Sequence, residues 1–346
     1  MNFTELIETA KRDGCSDVHI TVGTAIARRR YGVLEILEDV PTMKESQDLI
    51  LEKLDADQTR KVLAGEDLDF AIMMPNRVRL RANIYHQRNN LAAAYRILNN
   101  DIPAFETLGV PTAVGRFAKE PRGLVLITGP TGSGKTTTMA SMVDYINENM
   151  DKHVITIEDP IEYLYDHKRS MIHQREIGKD VNGYATALYS ALREDPDVIL
   201  VGEMRDYETI KAAITAAETG HLVISTLHTS SAAQTVERII DAYPPHAQGQ
   251  ITTQLANVLK GVVTQVLVPK ADGNGMALAT EVLVNTEAVA TQIRDSKVHQ
   301  IPGTIQGGAS VGMHTLDADL ARLVREWKIS KESALSFCTN PKKFVL

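Results

Sequence analysis

Eight consecutive residues, Gly129-Pro130-Thr131-Gly132-Ser133-Gly134-Lys135-Thr136, constrain this chain more than any others. They fit G-x-x-x-x-G-K-[ST] and lie between an apolar run at 124–128 and a helix-forming stretch. A strand, a glycine-rich turn and a helix in that order aim backbone N–H groups inward at an anion, with the positive end of the helix facing the same point. The motif therefore calls for an α/β domain with a phosphate site. Lys135 suits the β and γ phosphates of ATP, the Thr136 hydroxyl suits magnesium, and Thr137 extends the phosphate-binding set.

The sequence supplies the sheet that such a motif needs. Runs at 153–157, 198–201 and 222–225 are short and apolar, with segments between them long enough for helical crossovers. Upstream the pattern changes. Phe3, Leu6, Ile7 and Ala10 recur at helical spacing, short strands are expected over 17–20, 25–31 and 33–37, two helices at about 45–64, and strands over 67–73, 78–85 and 91–98. Pro103, Pro111, Pro121 and Gly123 then punctuate 99–123 as a linker or hinge. The expected plan is a smaller α+β domain over 1–98, that linker, and an α/β domain over 124–346 with C-terminal helices. A chain of 346 residues, 43% hydrophobic, can bury two cores. Leu316, Leu320, Leu323, Val324 and Trp327 predict a late amphipathic helix packed on the second core.

Polar groups at the carboxyl ends of parallel strands are where an α/β sheet does its chemistry. The run at 197–201 is followed by Gly202 and Glu203, with glycine where many P-loop ATPases carry aspartate. Glu203 is then the acid for the metal or its coordinated water. The run at 153–157 ends in Glu158-Asp159-Pro160, and proline stops the strand there. Glu158 suits a carboxylate that orients or deprotonates an attacking water, and the same pair also fits the cap of a turn. His221 and His228 flank the third run together with Thr226 and Thr229. His228, at the carboxyl end, is the better candidate for a γ-phosphate sensor or coupling element.

Taken in order, GPTGSGKTTT, ITIEDPIEY, ALREDPDVILVGEMRD and TAAETGHLVISTLHTSSA resemble the Walker A, Asp box, Walker B and His box of the secretion and type IV pilus ATPase superfamily. With SDVHI near the start, HQREIG in the middle and KISKESAL near the end, the chain is similar to the PilT-like retraction ATPases over nearly its whole length. The resemblance implies a PAS-like N-terminal domain, a RecA-like P-loop ATPase domain, and a homohexameric ring with ATP and Mg held between domains at subunit boundaries. It implies Glu158 as general base, Glu203 beside magnesium and His228 as sensor. It further implies hydrolysis coupled to pilus retraction and twitching motility, on the cytoplasmic face of an inner-membrane platform.

Family arginines that reach the nucleotide fall in the segment from Arg77 through Arg79, Arg81 and Arg88 to Arg96, with Arg81 and Arg96 the preferred pair. Guanidinium groups neutralise charge on a transferring phosphoryl group, and alternate arginines on a strand equally fit a solvated face. Extension and type II secretion relatives carry a further N-terminal domain and a four-cysteine motif that this sequence lacks, which favours retraction. The family's AIRNLIRE stretch reads AVATQIRD here, from Ala288 to Asp295, keeping its arginine and acid. Arg28, Arg29 and Arg30 read as a solvated edge strand.

The rival from another class is a DNA-translocating RecA-like ring. A formal charge of −7, from 37 basic and 44 acidic residues, and no basic-aromatic stripe argue against nucleic acid. Cys15 and Cys338 form no CxxC pair, so no disulfide framework or zinc site is indicated. No stretch approaches the roughly 20 apolar residues of a spanning helix, so the expectation is a soluble cytoplasmic chain without direct membrane insertion, peripheral to a membrane-embedded machine.

Overall fold

The first helix, α1 (Phe3–Arg12), begins at a capping box: the Asn2 side chain accepts from the Glu5 N–H and Glu5 accepts from the Asn2 N–H. Its apolar positions Phe3, Leu6, Ile7 and Ala10 are buried along one stripe, as their spacing requires. The computed structural model describes residues 2–30, 33–74, 78–98, 101–342 and Phe344. They divide into a first unit, Met1–Asp101 with Pro160–Leu164, and a second, Ile102–Asp159 with Tyr165–Leu346.

In the first unit α1 is followed by β1 (Cys15–Thr21), β2 (Ala27–Arg30), β3 (Val33–Ile36), α2 (Met43–Leu51), α3 (Ala56–Leu63), β4 (Leu68–Met73), β5 (Arg79–Gln87) and β6 (Asn90–Leu98). The strands form an antiparallel sheet in the order β3-β2-β1-β6-β5-β4. Phe3, Ile50 and Val62 from the helices join Val18, Leu80, Ile84 and Tyr95 from the sheet in one core. The Phe3 and Tyr95 rings meet edge to face at 4.8 Å, a favoured aromatic geometry. The arginine-rich strand is not an edge. Strand β2 pairs with both β1 and β3, and its charge is tolerated because Arg28 bonds Asp13 at 2.7 Å and Glu35 at 3.1 Å. The edge is β3. Tyr31, Arg77 and Asn99, which belong to expected segments, lie outside the described residues.

The second unit continues with α4 (Thr112–Phe117), β7 (Gly123–Thr128), α5 (Lys135–Asn149), β8 (His153–Glu158), β9 (Met171–Glu176), α6 (Tyr184–Ala191), β10 (Val198–Val201) and α7 (Tyr207–Glu218). After these come β11 (Leu222–Leu227), α8 (Ala232–Asp241), α9 (Gln248–Val258), β12 (Leu259–Pro269), β13 (Met276–Val284), α10 (Glu287–Arg294), α11 (Ile301–Gly307), α12 (Leu316–Arg325) and α13 (Lys331–Phe337). The sheet order is β13-β12-β7-β11-β10-β8-β9, parallel except for β13, which runs antiparallel to β12. Alternate residues of β7 serve opposite faces. Leu124 and Leu126 join a core with α6, α7 and α9, whereas Val125 and Ile127 join one with α4 and α5. From Ile102 onward the stretch read as a linker belongs to this unit. Pro111 sits at the N-cap of α4, and Ala113, Val114 and Phe117 are buried beneath the sheet, so proline starts a covering helix there.

The C-terminal helix α12 buries Leu320 and Leu323 against Val268, Ala277 and Ala279, but not Trp327. The helix stops at Arg325, and Trp327, at φ 58°, is 88% exposed. The Trp327 N–H bonds Val324 O and the Lys328 N–H bonds Leu323 O, a Schellman close with tryptophan where glycine is preferred. Apolar periodicity carried the expected helix past this stop because no glycine marks it. A left-handed conformation costs a residue with a Cβ about 1–2 kcal/mol. Trp327→Gly is therefore expected to stabilise the fold by about 1 kcal/mol, part of the relief being lost to the freer unfolded glycine. Urea unfolding followed by circular dichroism measures this, and destabilisation on substitution would show that the indole holds contacts worth more than the strain.

Candidate phosphate-binding site

Four parallel strand ends lie level at one edge of the second unit's sheet. Thr128 of β7 is opposite Leu227 of β11, and Val201 of β10 is opposite both Ser225 of β11 and Ile157 of β8. The residues that follow, Gly129, His228, Gly202 with Glu203, and Glu158, therefore emerge along a single edge. The ladder of backbone hydrogen bonds aligns them although the sequence spreads them over a hundred residues.

The phosphate-binding turn runs from Gly129 to Gly134. A Cβ at Gly129 would collide with the carbonyl oxygen of Gln265 and lie 2.7 Å from Ser133 Oγ, so only glycine allows that close approach. Helix α5 starts behind the turn without a side-chain cap, which leaves its first N–H groups for another acceptor. Lys135 is 8% exposed, and its ammonium rests on the carbonyl oxygens of Gly129 and Pro130, each at 2.9 Å. Burial holds its pKa below the ordinary lysine value, with Glu203 pulling the other way. Ser133 Oγ is buried with no hydrogen-bond partner among the described residues. A turn that admits no Cβ at Gly129, an orphaned hydroxyl and a buried ammonium held, among the described residues, by carbonyls fit a phosphate group.

The turn has a support that sequence reasoning missed. Gln265 of β12 is fully buried and donates from Nε2 to Ser133 O at 2.8 Å. Beside it the Thr264 and Thr128 hydroxyls bond at 2.8 Å. The signal was present in LKGVVTQVLVP, where two polar residues interrupt an apolar strand.

Glu203 receives Arg205 Nε at 2.7 Å and His228 Nε2 at 3.1 Å, both at Oε1. Burial pushes its carboxyl up, but Arg205 and His228 outweigh burial and hold it below the ordinary glutamate value. It is therefore a carboxylate at neutral pH. Arg205, unread in the sequence, is two residues beyond the acid in GEMRD. Gly202 has its own reason to lack a side chain: a Cβ there would lie 3.1 Å from Tyr184 Oη and 3.4 Å from Ile157 O. Glu158 is buried and accepts from Thr156 Oγ1 at 2.7 Å and Gln174 Nε2 at 3.3 Å.

The other expected residues separate. Thr226 donates to Gly202 O at 2.7 Å and so ties two strand ends together, while Thr229 bonds Thr235 inside α8. His221 sits at the opposite end of β11, bonded to Ala216 O at 3.0 Å. In the first unit Arg81 and Arg96 are cross-strand neighbours, each on a carboxylate: Arg81 on Asp69 at 2.7 Å, Arg96 on Asp17 at 2.9 Å. Arg79 is buried, and Arg88 lies in the β5–β6 turn at φ 48°. The AVATQIRD stretch forms α10 and its close, burying Val289, Ala290 and Ile293. Thr136 and Glu203 offer hard oxygen donors of the kind magnesium takes alongside phosphate and water. Among the described residues no group of three or more His, Cys, Asp or Glu could hold a metal by itself, and no helix is long and apolar enough to cross a membrane.

A family profile described as type II/IV secretion system protein matches residues 2–326. The type IV pilus retraction ATPase PilT of Pseudomonas aeruginosa is 41% identical over 346 residues, 99% of this chain and 100% of that protein. YggR of Escherichia coli, an uncharacterized protein, is 44% identical over 95% of this chain and 100% of its own length. The solved structure of the pilus retraction motor PilT with bound ADP superposes with a TM-score of 0.93 at 42% identity, covering 99% of this chain and 98% of that one.

Gln265→Leu keeps the volume but removes the donor to Ser133 O. Loss of a buried hydrogen bond that shapes a phosphate cradle should weaken ADP binding about tenfold. Calorimetric titration with ADP measures it, and unchanged affinity would show that the glycine turn holds its form without β12.

Proposed function

The chain belongs to the type II/IV secretion system protein family, and from that premise we propose that it is a Mg-dependent P-loop ATPase whose turnover drives type IV pilus retraction. The observation that carries this reading is Lys135, a buried ammonium at the head of α5 with no anion in contact among the described residues, facing a glycine turn that fits phosphate. A charge kept out of water without a counter-ion is costly, and an arriving triphosphate removes that cost.

In this reading Lys135 leaves the two carbonyls for the β and γ phosphate oxygens, and the backbone N–H groups of 129–136 with Ser133 Oγ surround the rest. Thr136 and Glu203 would hold magnesium, which when bound neutralises charge across the β and γ phosphoryl groups. Glu158, fixed by Thr156 and Gln174, takes the proton of the attacking water. The water oxygen bonds to the γ phosphorus in line with the breaking bond to the bridging oxygen, and ADP leaves. His228, already on Glu203, couples the γ-phosphate to that acid.

Arg81 and Arg96 are proposed to exchange their aspartates for the nucleotide of a neighbouring copy in a homohexameric ring of PAS-like and RecA-like domains. Force on a pilus platform at the cytoplasmic face of the inner membrane, and with it twitching motility, follows from the likeness to retraction ATPases.

Two variants separate binding from chemistry. Lys135→Ala should abolish ATP binding, whereas Glu158→Gln should bind ATP normally and lose at least about a hundredfold in turnover, the low end of what a positioned base contributes. Fluorescent-nucleotide titration and phosphate release check this, with molecular mass measured on the same samples. Equal loss of binding in both variants would reject the role given to Glu158.

A further inference from the structure

The first unit carries an apolar groove that hydrolysis does not use. Ile26, Leu37, Val40, Leu49 and Leu51 contribute to a cavity of about 1000 Å³. Its rim is acidic. Glu38, Asp39 and Asp48 line it and have no cation or hydrogen-bond partner for their side chains among the described residues, and no lysine or arginine lines the cavity. Two more carboxylates on the lining are partly satisfied, Glu45 by the cap of α2 and Glu52 by the Phe3 N–H and by Lys53 at 2.9 Å.

The same region holds an unprotected sheet edge. Strand β3 ends the sheet of this unit, and Val33, Leu34 and Ile36 are 64%, 49% and 71% exposed. Natural edge strands are usually blunted by charge, proline or a bulge. The charge on β3 is Glu35, which is occupied by Arg28 from β2. From Ile36 the chain runs directly into Leu37 of the groove, so edge and groove adjoin along the chain.

We propose that β3 and this groove take up an extended segment of a partner polypeptide in which lysine or arginine residues alternate with aliphatic ones. An added strand satisfies the open N–H and C=O groups of β3, and its period of two turns one set of side chains to the groove while the long stems of the other set let their cations bend round to its rim. Aliphatic residues fill the groove while cations meet Glu38, Asp39 and Asp48. Charge selects the occupant. A nucleic acid or anionic lipid surface would bring phosphate against carboxylates, and a second copy pairing through its own β3 would set Glu35, Glu38 and Asp39 against their like.

The test uses the full chain and a dye-labelled synthetic peptide of alternating isoleucine and lysine, followed by fluorescence anisotropy. Saturable binding is expected, weakened at least about tenfold by the triple reversal Glu38→Lys, Asp39→Lys, Asp48→Lys, with ATP turnover retained. Hydrogen exchange on the unsubstituted protein gives an arm free of folding effects: amides of β3 and of 37–49 should slow when peptide is added. Absence of saturable binding, equal binding of an isoleucine–glutamate peptide, or protection confined to other segments would overturn the proposal. So would self-association that the triple reversal abolishes without peptide, since the surface would then be an interface between copies.

Discussion

An ammonium ion held at the head of a helix by carbonyl oxygens alone is the constraint around which the second unit is arranged. Lys135 is almost fully buried, and burial lowers its affinity for its own proton. Glu203 lies near enough to oppose that shift in part. Glu203 is instead held by Arg205 and His228, both at its Oε1. The turn thus keeps a net positive field from Lys135 and the uncapped N–H groups of α5. That field is aimed by structure far away in sequence: Gln265 of β12 fixes Ser133 O, and Gly129 admits the Gln265 backbone.

The local parts of this arrangement were legible in the sequence. A glycine turn between a strand and a helix is contiguous, and the acids Glu158 and Glu203 follow apolar runs whose ends can be read directly. What could not be read depends on strand order. Nothing in 259–269 says that β12 lies beside β7, so a glutamine in it carried no address. The same gap hid the interior position of β2. Three arginines in a row suggest solvent, yet carboxylates on both sides accommodate Arg28 inside the sheet. Trp327 failed for another reason: periodicity measures where a helix would bury residues, while a Schellman close without glycine gives no local sign that the helix has ended.

The two units solve the burial of a sheet differently, and this decides what each leaves open. In the second unit consecutive residues of β7 enter cores on opposite faces, so polar groups gather at strand ends, apart from buried and hydrogen-bonded exceptions such as Gln265. Chemistry is thereby concentrated on one edge. The first unit is an antiparallel sheet with helical residues from α1, α2 and α3 in its core, and its order ends on β3 with aliphatic side chains in water.

The carboxylates of the two units make the same distinction in chemical terms. Glu158 and Glu203 are buried or partly buried, and each is held by named donors, Thr156 and Gln174 for one, Arg205 and His228 for the other. Such groups have already exchanged water for protein partners, so their geometry is fixed before any substrate arrives, which is what positioning for a reaction requires. Glu38, Asp39 and Asp48 are exposed and have no side-chain partner among the described residues. Surface carboxylates in that state add little to stability, but they steer the approach of a cation brought by another chain from a distance. Hydrolysis is thus proposed from fixed acids at a parallel edge, and recognition from exposed acids beside an antiparallel one.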